Sequence, residues 1–106
     1  MTDTLFSIED AKAAAKAQGS HWFEPSTLRF FNCRISEMVY STTDGKTMFF
    51  VTSERYDSDA KRMYTVRKAT LGESGIFDIS TVGGFQAYAS RSGAHDRAKR
   101  ERLAVL

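Results

Sequence analysis

Between Met48 and Arg55 the chain reads Met-Phe-Phe-Val-Thr-Ser-Glu-Arg, apolar at consecutive positions and crowded with aromatic and β-branched residues. The run is too short for a buried helix, and its residue types fit a pleated surface, so it predicts a central strand over Thr47–Arg55. Thr43-Asp44-Gly45-Lys46 stands just before it, and Asp-Gly is a hairpin signal because both residues tolerate positive φ. Three further segments alternate with period two. Ile35 to Thr42 sets Met38 and Tyr40 against Val39; Arg62 to Ala69 sets Tyr64 and Val66 against Thr65 and Arg67; Ile76 to Val82 sets Phe77 and Ile79 against Asp78 and Ser80. Residues 35–82 therefore read as a four-stranded antiparallel meander.

Helical signals flank the sheet. Residues 1–19 form an acidic, alanine-rich segment in which Ser7 caps, Asp10 sits in the first turn, and Gly19 stands where a helix ends. Pro25 opens a short aromatic helix with Leu28 and Phe31 three apart on one face. Residues 90–106 make a basic helix capped by Ser90 or Ser92, with Ala94, Ala98 and Val105 inward; Gly93 weakens its first turn by about 1 kcal/mol. Trp22, Phe23, Leu28, Phe30 and Phe31 together carry too much apolar area to leave wet, and most of it is expected in the layer covering the sheet. The 106 residues thus predict one α+β domain, the three helices packed on one face of the meander and the other face partly open.

The residue inventory narrows the chemistry. Cys33 is the single cysteine, so an internal disulfide is excluded. Cys33, His21 and His95 are the whole supply of soft ligands, and none lies within four residues of another; neither a metal nor a cofactor is expected. Cys33 reads as a small packed residue, since a thiol nucleophile would need His21 or His95 within reach. Ser74, in Gly72-Glu73-Ser74-Gly75, lacks the spacing of a nucleophile turn, and Gly83-Gly84 lacks the Lys-Ser/Thr of a phosphate loop. Glu37, Glu54 and Asp78 read as carboxylates on solvated strand faces. No catalytic residue is assigned, and an enzyme is not expected. The start, Met1-Thr2-Asp3-Thr4, has no secretory pattern and no apolar run approaches membrane length, so the expected compartment is the cytoplasm.

The formal charge of +2 is unevenly spread, acidic before Pro25 and basic at the end. Arg91, Arg97, Lys99, Arg100 and Arg102 could follow a nucleic-acid backbone, while Tyr64, beside Arg62 and Arg67, and Tyr56 could stack bases. The plainer reading is a solvated helix whose last basic residues meet its dipole. Any exposed part of the aromatic cluster, flanked by Arg29 and Arg34, would form a protein-binding patch, and an unpaired sheet edge would accept an added strand.

Trp22-Phe23, Thr27-Leu28-Arg29-Phe30-Phe31, Phe49-Phe50-Val51-Thr52-Ser53-Glu54, Tyr64-Thr65-Val66-Arg67 and Phe85-Gln86-Ala87-Tyr88 come in an order that resembles a family of small phage- and plasmid-borne proteins of uncharacterised function. The likeness runs from His21 to Ala98, with the first helix as an addition. The resemblance implies a mobile-element origin and a non-enzymatic protein that binds host machinery; it brings no catalytic residues. The expectation is a binding protein that engages a host protein or ribonucleoprotein complex and inhibits a defence system, in the manner of an anti-CRISPR. The alternative is a nucleic-acid-binding protein using the basic helix and the sheet aromatics. No membrane is involved in either, and the chain acts as a monomer or a homodimer.

Overall fold

The computed structural model describes residues 4–20, 22–55, 60–72 and 77–105, the last without its side chain. In chain order its elements are α1 (Ile8–Ala17), α2 (Pro25–Phe30), β1 (Arg34–Ser41), β2 (Thr47–Glu54), β3 (Met63–Leu71), β4 (Phe77–Val82) and α3 (Arg91–Val105). The expectations placed on His21, Tyr56, Ser74, Ile76 and the Val105 side chain lie outside the described residues.

The strands form one antiparallel sheet in the order β1-β2-β3-β4, so the α+β meander stands as read from the period-two segments. All eight residues of β2 are buried. Because side chains alternate across a strand, Met48 and Phe50 leave on one side and Phe49 and Val51 on the other. The first pair joins a core with Leu5, Ala11, Ala14, Ala15, Phe23 and Leu71, built around α1. The second joins Tyr40, Val66, Ala94 and Ala98, built around α3. The expected packing of all three helices on one face is thereby corrected. A central strand apolar on both sides needs two covers, and the alanine stripes of α1 and α3 let each helix approach closely, one per face. The result is three layers, helix on sheet on helix.

Local chemistry sets the element ends. Ser7 accepts the Asp10 N–H at 3.2 Å while the Asp10 carboxylate accepts from Phe6 N–H at 2.9 Å, two otherwise orphaned donors satisfied at the start of α1. Both α1 and α2 end in the same double bond pattern: Ser20 N–H to Ala15 C=O and Gly19 N–H to Lys16 C=O, then Cys33 N–H to Leu28 C=O and Asn32 N–H to Arg29 C=O. Each needs a left-handed residue, Gly19 in the first and Asn32 (φ 51°) in the second. Ser90, not Ser92, caps α3, accepting the Gly93 N–H at 3.2 Å.

At the β1–β2 turn, Asp44 accepts from Lys46 N–H at 2.9 Å and Thr42 Oγ1 at 2.7 Å, and these bonds hold its carboxyl below the usual range. Gly45 (φ 70°) lies under Phe6, whose ring would stand 2.7 Å from an added Cβ, so conformation and contact both demand glycine. A register shift between Ile35 and Val39 bends the edge strand β1. After β4 the chain does not leave the sheet at once. Gly83 (φ 79°) and Gly84 (φ 116°) turn it outward, and Tyr88 returns to pair with Tyr64 through two backbone bonds of 2.8 and 3.1 Å. Phe85 and Gln86 form the arch between.

Candidate functional site

That arch and the end of α2 face each other across the α1 side of the sheet, and between them lies a cleft of about 460 Å³. Its floor is polar. Glu54 and Arg67 point the same way from neighbouring strands and pair at 3.0 Å, their side chains 4% and 14% exposed. Glu54 Oε1 also accepts from Thr52 Oγ1 at 2.5 Å and from the Cys33 thiol at 3.6 Å, and Oε2 accepts from Thr65 Oγ1 at 3.0 Å. Arg67 donates further to Thr52 Oγ1 at 3.1 Å and Thr81 Oγ1 at 3.2 Å. With donors on both oxygens, the carboxylate is a satisfied structural acceptor. This corrects its reading as a solvated strand-face residue.

The walls and mouth are aromatic. The Arg67 guanidinium lies 5.5 Å from the ring centroids of both Trp22 and Phe85, within range of a cation–π attraction. Trp22 is half-buried and meets Phe23 and Phe50 edge-on at 4.7 and 6.0 Å, which anchors that wall to the core. Phe30, Phe31 and Phe85 line the cleft yet are 79%, 62% and 61% exposed. The expected burial of the aromatic cluster therefore holds for Phe23 and in part for Trp22, and fails for Phe30 and Phe31. The reason is local: α2 has six residues, none of them buried, and adjacent side chains about 100° apart cannot both face the sheet. Phe30 and Phe31 stack on each other edge-on at 4.9 Å instead.

Among the described residues, Asn32 (φ 51°) and Gln86 (φ 54°) are the two non-glycine residues with left-handed backbone, and both line the cleft. Asn32 is an ordinary helix-ending residue. Gln86 is strained, held in place by its N–H bond to Thr65 Oγ1 at 2.8 Å. Strain of this kind concentrates where a fold presents side chains for a purpose.

Cys33 sits at the cleft wall without activation. Burial first, then the Glu54 charge and hydrogen bond, push its thiol up to about 12. His95 is on the other side of the sheet, its Nδ1 3.0 Å from the Tyr40 hydroxyl, and is pushed down by burial and then by Arg91. A thiol that stays protonated alkylates slowly. Iodoacetamide at neutral pH should label the folded protein roughly a hundredfold or more slower than the urea-unfolded chain, as the thiolate fraction dictates. Equal rates would contradict the geometry. The sign of the linkage follows: a thiol value raised by folding adds stability below the unfolded value of 9.0, which is lost as pH climbs towards about 12.

The basic residues singled out in the sequence do not share one surface. Arg67 belongs to the cleft floor. Arg62, Tyr64 and Arg91 come together with Arg34 around a recess of about 210 Å³ on the α3 side. Arg97 is tied to Glu101 at 2.6 Å and to the Tyr88 hydroxyl at 3.2 Å, contacts that raise its guanidinium further. Lys99 and Arg100 are exposed, and Arg102 is half-buried. Phe85, Glu54 and Cys33 were not assigned as site residues by sequence reasoning, and Phe30 and Phe31 entered only as part of a cluster that would bind protein if exposed. The adjacent Phe30-Phe31 pair in so short a helix was the available signal.

Among the described residues no three His, Cys, Asp or Glu side chains gather to hold a metal ion, and no helix is long and apolar enough to cross a membrane. Fold and site together define a small three-layer α+β domain with an aromatic-edged cleft. By sequence the chain belongs to a family of unknown function (DUF7447), whose model it matches over residues 7–99. The match takes in α1, so the first helix is part of the family's unit and not an addition. No curated protein and no solved structure matches the chain.

Proposed function

We propose that this is a non-enzymatic binding protein that docks a protein partner at the aromatic-edged cleft. One observation carries the reading: three phenylalanines, Phe30, Phe31 and Phe85, stand largely in solvent around one cavity. Large apolar side chains clustered at a concave surface are what protein-binding hot spots use, and leaving them wet gives up burial energy that a partner would recover. The fitting occupant is an apolar side chain presented by that partner, entering between the rings over the neutralised floor. Resemblance to mobile-element proteins supports a host protein or ribonucleoprotein complex as the partner, and inhibition of a defence complex as the consequence.

Affinity capture with and without nuclease tests this. A protein retained under both conditions by the wild type and lost by the Phe31→Ala/Phe85→Ala double variant supports it. Equal retention by the double variant overturns it. A second reading, direct nucleic-acid binding along α3, draws on exposed Lys99 and Arg100. It requires low-salt binding to random-sequence RNA or DNA that falls when both are replaced by glutamine.

A further inference from the structure

The recess on the α3 side is built differently from the cleft. Arg34 comes from the first residue of β1, Arg62 from the residue before β3, and Arg91 from the first residue of α3, so three separate segments bring an arginine to the wall of one hollow of about 210 Å³. Ser36, Ser53 and Tyr64 complete its polar wall. No acidic side chain lines it among the described residues, and none of the three arginines makes an ion pair with a described carboxylate.

Arg62 is already fixed. Its Nη1 donates to the Ser53 carbonyl at 2.7 Å, to Ser53 Oγ at 3.0 Å and to the Asn32 carbonyl at 3.2 Å. Its Nε and Nη2 have no acceptor among the described residues. A guanidinium held at one nitrogen keeps the rest of its fork ready for a bidentate acceptor, with the ordering cost met in folding. The charges are also crowded. Burial, then the charges of Arg34 and of Arg55, push the Arg62 guanidinium down from its usual value; Arg55 lines the cleft, while Arg34 shares the recess with Arg62. An anion seated among them relieves that repulsion.

We propose that this recess is a phosphoryl-binding site, taking the dianionic phosphate of a phosphomonoester with Arg62 as the fixed fork and Arg34 and Arg91 as flanking donors. Planar forks and hydroxyls match phosphate oxygens in number and geometry. The recess meets the aromatic cleft through the Arg62 bond to the Asn32 carbonyl, but it opens on the other side of the sheet and does not require the partner proposed for the cleft.

Isothermal titration of the full chain with inorganic phosphate in chloride buffer tests the site. Saturable one-to-one binding is expected, weakened at least tenfold in Arg91→Gln and in Arg34→Gln, both exposed positions whose variants should fold as the wild type does. Lys99→Gln, which removes the same charge elsewhere, should change it less than twofold. No saturable binding, or equal weakening in Lys99→Gln, would overturn the proposal. Matched oligonucleotides with and without a 5′-phosphate separate the sources. A 5′-phosphate preference above the affinity for inorganic phosphate upholds the site with a nucleic-acid end as ligand. Affinity no greater than that for phosphate upholds it with a small phosphorylated ligand.

Discussion

Replacing Arg67 with alanine should lower the unfolding free energy by about 3–5 kcal/mol in a urea titration, the usual penalty for leaving one member of a buried ion pair alone. The loss has identifiable parts. Glu54 would lose its cationic partner in a site where its side chain is 4% exposed, with two hydroxyls and a thiol as its remaining donors. Thr52 and Thr81 would lose a donor, and Trp22 and Phe85 the cation between them and the sheet. Against a domain stability of roughly 5–15 kcal/mol, that is enough to leave the variant marginal. Arg67→Lys should recover only part of the loss, since a point charge cannot reach three acceptors in a plane. The double variant Glu54→Leu/Arg67→Met should recover most of it, because two apolar groups of similar volume remove the need for charge compensation. If Arg67→Ala unfolds like the wild type, the floor of the cleft is not the buried pair described.

The second large effect is a split between residues of one type. Phe31→Ala should weaken partner binding by at least about 2 kcal/mol, roughly thirtyfold, as hot-spot truncations do. Its stability should stay within about 0.5 kcal/mol of the wild type, since its ring is 62% exposed. Phe85→Ala should weaken binding similarly and lose a further 0.5–1 kcal/mol, roughly, of stability with its cation–π contact. Phe50→Ala should do the reverse, destabilising by about 3–5 kcal/mol because it is wholly buried beside Trp22 and Phe23. Melting curves and affinities of the three variants check the split. A Phe31→Ala variant that melts early but binds normally would assign that ring to the core.

The sheet was legible because β1, β3 and β4 alternate with period two, β2 is a short run of aromatic and β-branched residues, and Asp44-Gly45 marks the first turn. Its two covers were not read from the sequence, although Met48-Phe49-Phe50-Val51, apolar on both sides, carried the signal against three helices on one face. What the chain does not write locally is which alanine-rich helix goes to which face; α1 and α3 offer similar stripes. The cleft was hidden for a related reason. Glu54 looks like a solvated strand carboxylate until the register sets Thr52 opposite Thr65 and brings Arg67 within reach along β3. Arg62 and Arg91 were named for their charge. Their meeting with Arg34 depends on three separate elements converging, and the rest of the basic helix does not join them.

The claim on which the functional account turns is that the aromatic mouth is a docking surface, and site-specific photo-crosslinking tests it most directly. A benzophenone side chain is placed at position 31, at position 85, or at Lys12 on the exposed side of α1, and each protein is irradiated in a lysate of cells that naturally carry it. The account predicts one shared protein adduct from positions 31 and 85, unchanged by nuclease and absent from position 12. Adducts of equal yield at all three positions, or adducts that vanish with nuclease, would contradict it.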